Sequence, residues 1–469
     1  MSFFQLIFKQ IRQRSLSTIL TTLSIALGVA LAIAIMVLHR ESRSVFGQTD
    51  FGYEVLAGVK GSGLQLVTNT VYNIDRSPGN IQFSVYDRLK ADPFRRDIRL
   101  AIPIAVGDSY ENLPIIGTTP QYFGFNDDGT PADESRRFEY RPGRSFEIAQ
   151  GKVLHVDRFE AVIGSDVSRR TGLKLGDTFQ ATHGFPQPGM QPDVHEEKWT
   201  IVGVLAPTRT AADRALYIGL TSFYTIAEHG DAELQRHAAR QAGVPFKEPV
   251  HDHDHDHNHD HNHDHDHEKH FTLAPDGTIR LDAHLLEARE LSAILIKTRG
   301  GFNAMNLIFN LNLQPDVMAV NPATVMRDFF GNFLDGPVKL LLVISALVTV
   351  VAAISILTTI YNSVSARMTE IAILRALGAT RARILMMICT EAAVVGLIGA
   401  VIGFFVGHGL AGVGSFYLAQ QFGEGIAWAR VSAIEIVYIF GVILIAFVAG
   451  LFPALKAYRS SVATNLSGG

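Results

Sequence analysis

The chain has 469 residues, enough for two or three domains, and 47% of them are hydrophobic. Its mean hydropathy of +0.18 is high for a soluble protein, and the apolar residues are concentrated at the two ends. Cys389 is the only cysteine, which excludes a disulfide within one chain and a cysteine-based zinc site. The net charge of −4 says little about partners, because one acidic, histidine-rich tract distorts it.

Four apolar runs are long enough to cross a bilayer as helices, which takes about 20 residues. They lie at 15–38, 340–361, 384–411 and 436–455. Basic residues precede the first run, fill the loop between the second and third, and follow the last. The positive-inside rule therefore places these three segments in the cytoplasm. A cleaved signal peptide is the alternative for the first run, but its apolar region would span only about 7–15 residues, so we expect a retained anchor.

The segment between the first and second runs then lies outside the cytoplasm. Short strands are predicted at 161–163, 178–180, 199–205, 293–298 and 317–320. Ser165 can cap a helix after the first of these strands, and Gly172 can end it. A helical pattern over 303–311 predicts a strand–helix–strand crossover. The expected fold class is an α-helical membrane protein with four transmembrane helices and a large mixed α/β extracytoplasmic domain inserted between helices 1 and 2.

These patterns divide the chain into three parts. Residues 1–40 form the cytoplasmic N-terminus and the first transmembrane helix, 41–336 form the outside domain, and 337–469 carry the other three transmembrane helices. Asn321 and Pro322 make a good helix start, an N-cap followed by proline at the first position. From there we expect a helix toward the second span, interrupted near Gly336 and Pro337, that would connect the outside domain mechanically to the membrane.

Residues 248–270 contain a run in which histidine alternates with aspartate and asparagine. This run has no apolar residue to bury, so we expect a disordered loop. Neutral imidazole is a common zinc ligand, and residues two apart in an extended chain point the same way, so neighbouring histidines can share an ion. We expect several exchangeable sites for Zn²⁺ or another divalent metal; a solvated linker and an expression tag are the alternatives. The candidate ligands are His251, His253, His255, His257, His259, His261, His263, His265, His267 and His270.

Other histidines of the outside domain, His183 and His195 among them, are expected to be ordinary surface or core residues. His408 lies near the outer end of the third span, where an ionisable residue is a functional candidate. Small residues recur every four positions in the same span, which lets membrane helices approach closely either within the chain or between copies. They are Gly399, Gly403 and Gly407.

The loop between the second and third spans, residues 361–383, is basic. An apolar stripe at helical spacing predicts a short amphipathic helix at the inner membrane face. Its members are Val364, Met368, Ile371 and Leu374. Arg367 and Glu370 are three residues apart and can pair on the polar side of this helix. Gly378 suits a helix C-terminus, and Thr380 can cap the next helix.

From Ser363 to Arg381 the chain reads S-x-x-x-R-x-x-E-I-A-x-L-R-A-L-G-A-x-R, and this pattern resembles the signature of MacB/FtsX-type ABC permeases. The segments 158–179 and 201–205 resemble the periplasmic core domain of the same permeases, and 450–456 resembles the C-terminal end of the family. The resemblance thus implies a MacB-like core domain at 41–336 and an FtsX-like permease domain at 337–469. The histidine tract departs from the family pattern.

In that family the loop segment meets the ATPase subunit, so the resemblance implies an ATPase on a partner chain. It also implies a homodimer or heterodimer of permeases in a bacterial inner membrane, with the large domain in the periplasm and open to a periplasmic or outer-membrane partner. The chain has no G-x-x-x-x-G-K-[S/T] loop, so ATP hydrolysis would belong to the partner chain. We find no convincing nucleophile–base constellation and expect a permease subunit that is not itself an enzyme. We expect no nucleic acid among its partners. For Glu391 the alternative is a structural pairing with an arginine of the loop. The residues expected to couple to the ATPase are Arg367, Glu370, Arg375, Gly378, Arg381, Arg383 and Glu391.

Three functions fit these observations. The tract favours a transporter or efflux component in zinc or divalent-metal homeostasis. A permease that exports or extracts lipoproteins, peptides or antibiotics is the second, with the tract as a regulator only. The third is an FtsX-like signalling protein that activates an enzyme outside the cytoplasm without transport.

Overall fold

The computed structural model describes residues 15–46, 51–74, 77–185, 194–242, 270–422 and 426–459. The chain forms two compact units, one made of Met1–Gly47 with Phe330–Gly469 and the other of Gln48–Phe329. We call them the membrane unit and the outer unit. Of the predicted metal ligands, His251 to His267 fall outside the described residues.

The α-helices are α1 (Ser15–Phe46), α2 (Gly63–Tyr72), α3 (Phe83–Lys90), α4 (Ser165–Thr171), α5 (Leu220–Phe223), α6 (Ala227–Gln241), α7 (Ala283–Ala288), α8 (Gly301–Asn312), α9 (Pro322–Asp328), α10 (Asp335–Ala366), α11 (Met368–Ala376), α12 (Arg381–Phe422) and α13 (Ala433–Arg459). The strands are β1 (Val55–Gly58), β2 (Ile81–Gln82), β3 (Ile98–Tyr110), β4 (Leu113–Thr118), β5 (Ile148–Gly151), β6 (Glu160–Ile163), β7 (Thr178–Thr182), β8 (Val194–Leu205), β9 (Leu216–Gly219), β10 (Phe271–Leu273), β11 (Ile279–Leu281), β12 (Glu290–Leu291), β13 (Ala293–Thr298) and β14 (Met318–Val320).

Four helical segments among the described residues are long and apolar enough to cross a membrane. They are Leu16–Arg43, Pro322–Ala366, Arg381–Leu418 and Ala433–Lys456. The predicted number of spans and the insertion of a large mixed α/β domain between the first and second are confirmed. Each helix continues beyond the apolar run that predicted it, because polar residues at the ends of a span are also helical.

In the membrane unit, α1 packs closely on α12 because glycines line the contact. A Cβ at Gly403 would lie 2.6 Å from the carbonyl oxygen of Ala26 and 2.6 Å from Cβ of Val29. A Cβ at Gly407 would lie 2.7 Å from Cβ of Ile33. Distances this short leave room only for hydrogen, so the glycine spacing serves helix packing within the chain.

A second pair of glycines lets α12 approach α13. A Cβ at Gly396 would lie 2.4 Å from Cβ of Ala446, and one at Gly450 would lie 2.6 Å from Cβ of Ala392. Cys389, which is fully buried, lies in the same apolar core. The helix α12 therefore contacts two neighbours through small residues.

The outer unit is built on one mixed sheet, whose described strands follow the order β14-β1-β13-β3-β4-β9-β6-β8-β5. The strand β7 lies off this path and pairs with both β3 and β8. Strand β1 is antiparallel to β13 and to β14 and lies between them, so β13, α8 and β14 form the predicted crossover. Trp199 on β8 is fully buried, and its indole Nε1 donates to Ser222 Oγ at 3.0 Å, which satisfies the polar atom inside the core.

Two local expectations are wrong. Ser165 is the first residue of α4 rather than its cap, because the preceding Gly164 takes the extended cap conformation. Helix α9 does begin at Asn321 and Pro322, as predicted, but the irregularity before the second span is a π-helical stretch, Phe329–Leu334. Pro337 instead lies in the first turn of α10, where its missing N–H costs little.

Candidate functional site

The basic loop at the inner end of the membrane unit folds into one short helix between two turns. Helix α10 ends at Arg367, which leaves the helical conformation with φ −114° and ψ 19°, and α11 begins at the next residue. Gly378 ends that segment with φ +97°, in the left-handed region that favours glycine. Thr380 Oγ1 then accepts from the backbone N–H of Arg383 at 3.3 Å and caps α12. The predicted helix, its glycine end and the cap are present.

The apolar face of α11 fixes this helix on the membrane unit. Ile371 and Ala372 are buried, and Ile371 belongs to the same core as Val364 and Ile384. Met368 packs against that core. Val364 itself lies in α10, so the predicted stripe is divided between two helices by the break at Arg367.

The charges of the segment divide into a structural pair and an exposed group. Arg367 Nη2 lies 3.6 Å from Glu391 Oε1 on α12, and its guanidinium also donates to Ser363 Oγ. The expected pairing of Arg367 with Glu370 is therefore wrong, because the helix breaks at Arg367 and helical spacing no longer applies. Glu370, Arg381 and Arg383 are exposed, and Arg375 is half-buried.

The end of α13 contacts the same face through aromatic rings. The Arg381 guanidinium lies 5.5 Å from the ring centre of Tyr458, and Lys456 Nζ lies 4.0 Å from the ring centre of Tyr361. Cation–π contacts at exposed sites contribute about 0.5–1 kcal/mol each. The loop segment and the last helix thus form one surface at the inner end of the membrane unit.

A cavity lies beside the Arg367–Glu391 pair. It is small and partly open, and is lined by Thr21, Thr359, Ser363 and Glu391 with apolar residues between them. Thr21 Oγ1 and Thr359 Oγ1 are hydrogen-bonded at 3.3 Å. The cavity is thus polar on one side, where α1, α10 and α12 meet.

At the opposite end of the membrane unit, His408 belongs to a buried polar network that sequence reasoning missed. Its Nδ1 donates to the Trp428 carbonyl at 2.6 Å, and its Nε2 lies 3.0 Å from Glu435 Oε2. The other oxygen of Glu435 accepts from Arg40 at 2.6 Å, and Arg40 also donates to the Arg430 carbonyl. The sequence shows only that Arg40 follows the first apolar run and that Glu435 precedes the fourth.

The histidines of the outer unit fall in two places. His270, the last predicted ligand of the tract, has Nε2 at 2.8 Å from Asp231 Oδ1 on α6. His183 and His195, which we expected to be ordinary residues, lie with Asp108 in a group whose ligand atoms are all within 4.8 Å of one another. Such a group could hold a metal ion.

Two family models match the chain, one in each part. The model of the MacB-like periplasmic core domain matches residues 18–244, and that of the FtsX-like permease C-terminal matches residues 342–462. No curated protein matches the chain.

Among solved structures, the chain is similar to the crystal structure of the extracellular domain of the noncanonic ABC-type transporter YknZ from Gram-positive bacteria. The identity is 10%, the match covers 57% of this chain and 99% of that chain, and the TM-score of 0.24 is too low to support a conclusion. The two family matches confirm the resemblance carried by residues 363–381 and agree with the four spans and the mixed α/β domain of the structure. The chain belongs to the MacB/FtsX-type permeases of ABC transporters and is a multi-pass membrane protein with a large domain outside the cytoplasm.

Proposed function

We propose that this permease works in zinc or other divalent-metal homeostasis, and that ATP hydrolysis on a separate ATPase subunit moves its outer unit. The alternating histidines of residues 251–267 carry the metal part of the proposal, since imidazole and carboxylate side chains are the ligands that zinc takes in proteins. The protein would lie in the bacterial inner membrane as a pair of permeases, homodimeric or heterodimeric, with two ATPase subunits.

The geometry of α11 supports the coupling part of the proposal. Ile371 and Ala372 anchor this helix on the apolar core, while Glu370, Arg381 and Arg383 remain exposed. Glu370 lies on α11, and Arg381 and Arg383 lie in the first turn of α12. An exposed charged surface carried by two packed helices suits a partner protein, because its charges keep fixed positions. A push on α11 would reach the second span directly, since a single non-helical residue separates α11 from α10.

Cellular zinc under zinc-limited growth tests both parts in one experiment. A deletion strain is complemented with the wild-type gene, with the double variant Arg381→Glu and Arg383→Glu, or with Arg96→Glu as a control on the outer unit, where Arg96 is 79% exposed. We expect the double variant to behave like the deletion while Arg96→Glu restores the wild-type level. Lower zinc in the deletion strain would indicate uptake, and higher zinc would indicate export.

Unchanged zinc in the deletion strain would contradict the metal part of the proposal. Full complementation by the double variant, expressed at the wild-type level, would contradict the coupling surface. In the first case the remaining functions are export or extraction of lipoproteins, peptides or antibiotics, and signalling to an enzyme outside the cytoplasm. Neighbouring genes distinguish them, since an outer-membrane duct fits the former and a cell-wall hydrolase fits the latter.

A further inference from the structure

We propose that Asp108, His183 and His195 form a zinc-binding site in the outer unit, separate from the histidine tract. Strand pairing brings the three residues together. Ser109 on β3 pairs with Thr182 on β7, and Thr182 pairs with Val194 on β8. Each of the three candidate ligands is adjacent in sequence to one of these paired positions: Asp108 precedes Ser109, His183 follows Thr182, and His195 follows Val194.

Strand pairing places two of the three residues opposite each other. In an antiparallel pair, one step back along one strand matches one step forward along the other. Because Ser109 is opposite Thr182, Asp108 is opposite His183. His195 follows Val194, the partner of Thr182, but the β7–β8 register shifts between Gln180 and Thr182, so simple alternation does not set the residue opposite His195. The three residues meet where β3, β7 and β8 pair, near the end of β7.

The separations of the ligand atoms suit an ion between them. His183 Nδ1 lies 3.9 Å from Asp108 Oδ1, and His195 Nε2 lies 3.7 Å from Asp108 Oδ2. Both separations exceed about 3.6 Å, a distance at which a side-chain contact is no longer a hydrogen bond. In a tetrahedral zinc site with bonds of about 2.0–2.1 Å, neighbouring ligand atoms are about 3.4 Å apart, so shifts of a few tenths of an ångström would bring both contacts of Asp108 to that spacing.

The surroundings hold two of the ligands in place. Asp108 is fully buried and His195 is 7% exposed. Gly184 donates its N–H to Asp108 Oδ1 at 3.4 Å, and its carbonyl accepts from Ser109 Oγ at 2.5 Å, which fixes the turn that carries His183. A divalent cation next to Asp108 also compensates the cost of keeping a carboxylate away from water.

The chemistry of the group favours zinc with one open position. Two imidazoles and one carboxylate suit zinc better than magnesium or calcium, which prefer oxygen ligands alone, and there is no thiolate to select copper(I). The side chain of His183 is 48% exposed, so the fourth position can face solvent and accept water or a donor from a metal carrier. This site has fixed ligands, whereas the tract would offer many exchangeable ones.

Zinc titration of the purified full-length chain in detergent tests the proposal. The nine histidines from 251 to 267 are first replaced by glutamine, so that the tract no longer contributes. This tract-free chain should bind one zinc ion per chain. His183→Gln and Asp108→Asn should each weaken binding about tenfold or more, since loss of even an outer-shell partner costs about 10–100-fold in metal affinity.

His284→Gln provides the matched control, because His284 is an exposed histidine of the same unit. His183→Gln changes an exposed side chain and should leave folding intact, which an unchanged circular dichroism spectrum verifies. The proposal is wrong if the tract-free chain takes up no zinc, or if His183→Gln and Asp108→Asn bind zinc as His284→Gln does. The measurement uses purified protein, so its result is independent of any change in cellular zinc.

Discussion

Glu160, at the start of β6, shows how one carboxylate can stabilise the outer unit. It accepts from Lys152 Nζ at 2.9 Å, from the backbone N–H of His155 at 2.9 Å, and from His155 Nδ1 at 2.7 Å. Burial alone would raise its pKa, but the hydrogen bonds from His155 and Lys152 outweigh burial and hold the pKa below the ordinary value. A carboxyl group with a lowered pKa stabilises the fold at pH values above the pKa that it has in the unfolded chain. This stabilisation is lost as the pH falls through the pKa that the group has in the folded protein.

We expect Glu160→Gln to lower the free energy of unfolding by about 1–3 kcal/mol at about pH 7, because charge-assisted hydrogen bonds become neutral ones or are lost. The difference from wild type should shrink toward about pH 3, where the wild-type carboxyl group is protonated as well. Thermal unfolding of the detergent-solubilised chain measures the effect. Glu287→Gln, at an exposed position, is the control. A difference between Glu160→Gln and wild type that is the same at both pH values would contradict this account.

At the scale of single elements, α11 and α12 carry two glutamates in different surroundings. Glu391 is half-buried beside Arg367, whereas Glu370 is exposed on α11. Both are expected to take part in coupling, and we propose different roles for them because their surroundings differ. Glu391 contributes to the connection between α10 and α12, and Glu370 is free to contact another protein without a cost to packing.

Substitution of the two glutamates should separate these roles. Glu391→Ala should lower the free energy of unfolding by about 1–3 kcal/mol, since it leaves the Arg367 guanidinium without its carboxylate partner. Glu370→Ala should change stability by less than about 0.5 kcal/mol, as is usual for surface positions. Melting temperatures of the two purified variants give the comparison. Equal melting temperatures would show that the Arg367–Glu391 contact contributes nothing measurable.

Local sequence signals predicted an element well where a single residue type, or a short apolar run, was enough to determine its conformation. Gly378 ends α11 because only glycine adopts its backbone conformation easily, and the strand at 293–298 begins with four apolar residues, Ala293 to Ile296. The start of β8 was missed because its first residues are mostly polar or charged. The break at Arg367 was missed because the stripe of apolar residues continues across it.

Contacts between distant parts of the sequence could not be predicted from it. Asp108, His183 and His195 meet only because β7 pairs with β3 and with β8, and no local pattern reports such a pairing. The contact of His408 with Glu435 likewise depends on how α12 packs against α13. Sequence alone identified a membrane protein and its family, while the partners of individual side chains required the structure.

At the scale of the whole membrane unit, the four spans differ in how much of their surface the chain covers. The most apolar windows of the first and third spans are 56% and 44% buried, whereas those of the second and fourth are each 22% buried. The first and third therefore form the centre of the bundle. The apolar faces of the second and fourth remain for lipid or for a second permease chain.

Gly403→Ala should disturb this centre. The added methyl group would meet the backbone of α1 at 2.6 Å, so the two helices would have to separate. Overpacking of this kind costs about 1–3 kcal/mol. Gly409→Ala, in the same helix but with no atom within 4 Å of the added carbon, should leave stability unchanged or slightly raised. The melting temperatures of the two variants in detergent test the difference, and a Gly403→Ala protein as stable as Gly409→Ala would contradict it.

The glycine spacing also limits how the bundle can move. A slide of α1 along α12 by one residue would bring larger side chains opposite the backbone at each of the three close approaches at Gly399, Gly403 and Gly407. Piston-like displacement between these two helices is therefore disfavoured. The close approaches at Gly396 and Gly450 hold α13 to α12 in the same way, so under the proposed coupling a movement of α11 would appear mainly as a tilt or rotation of α10.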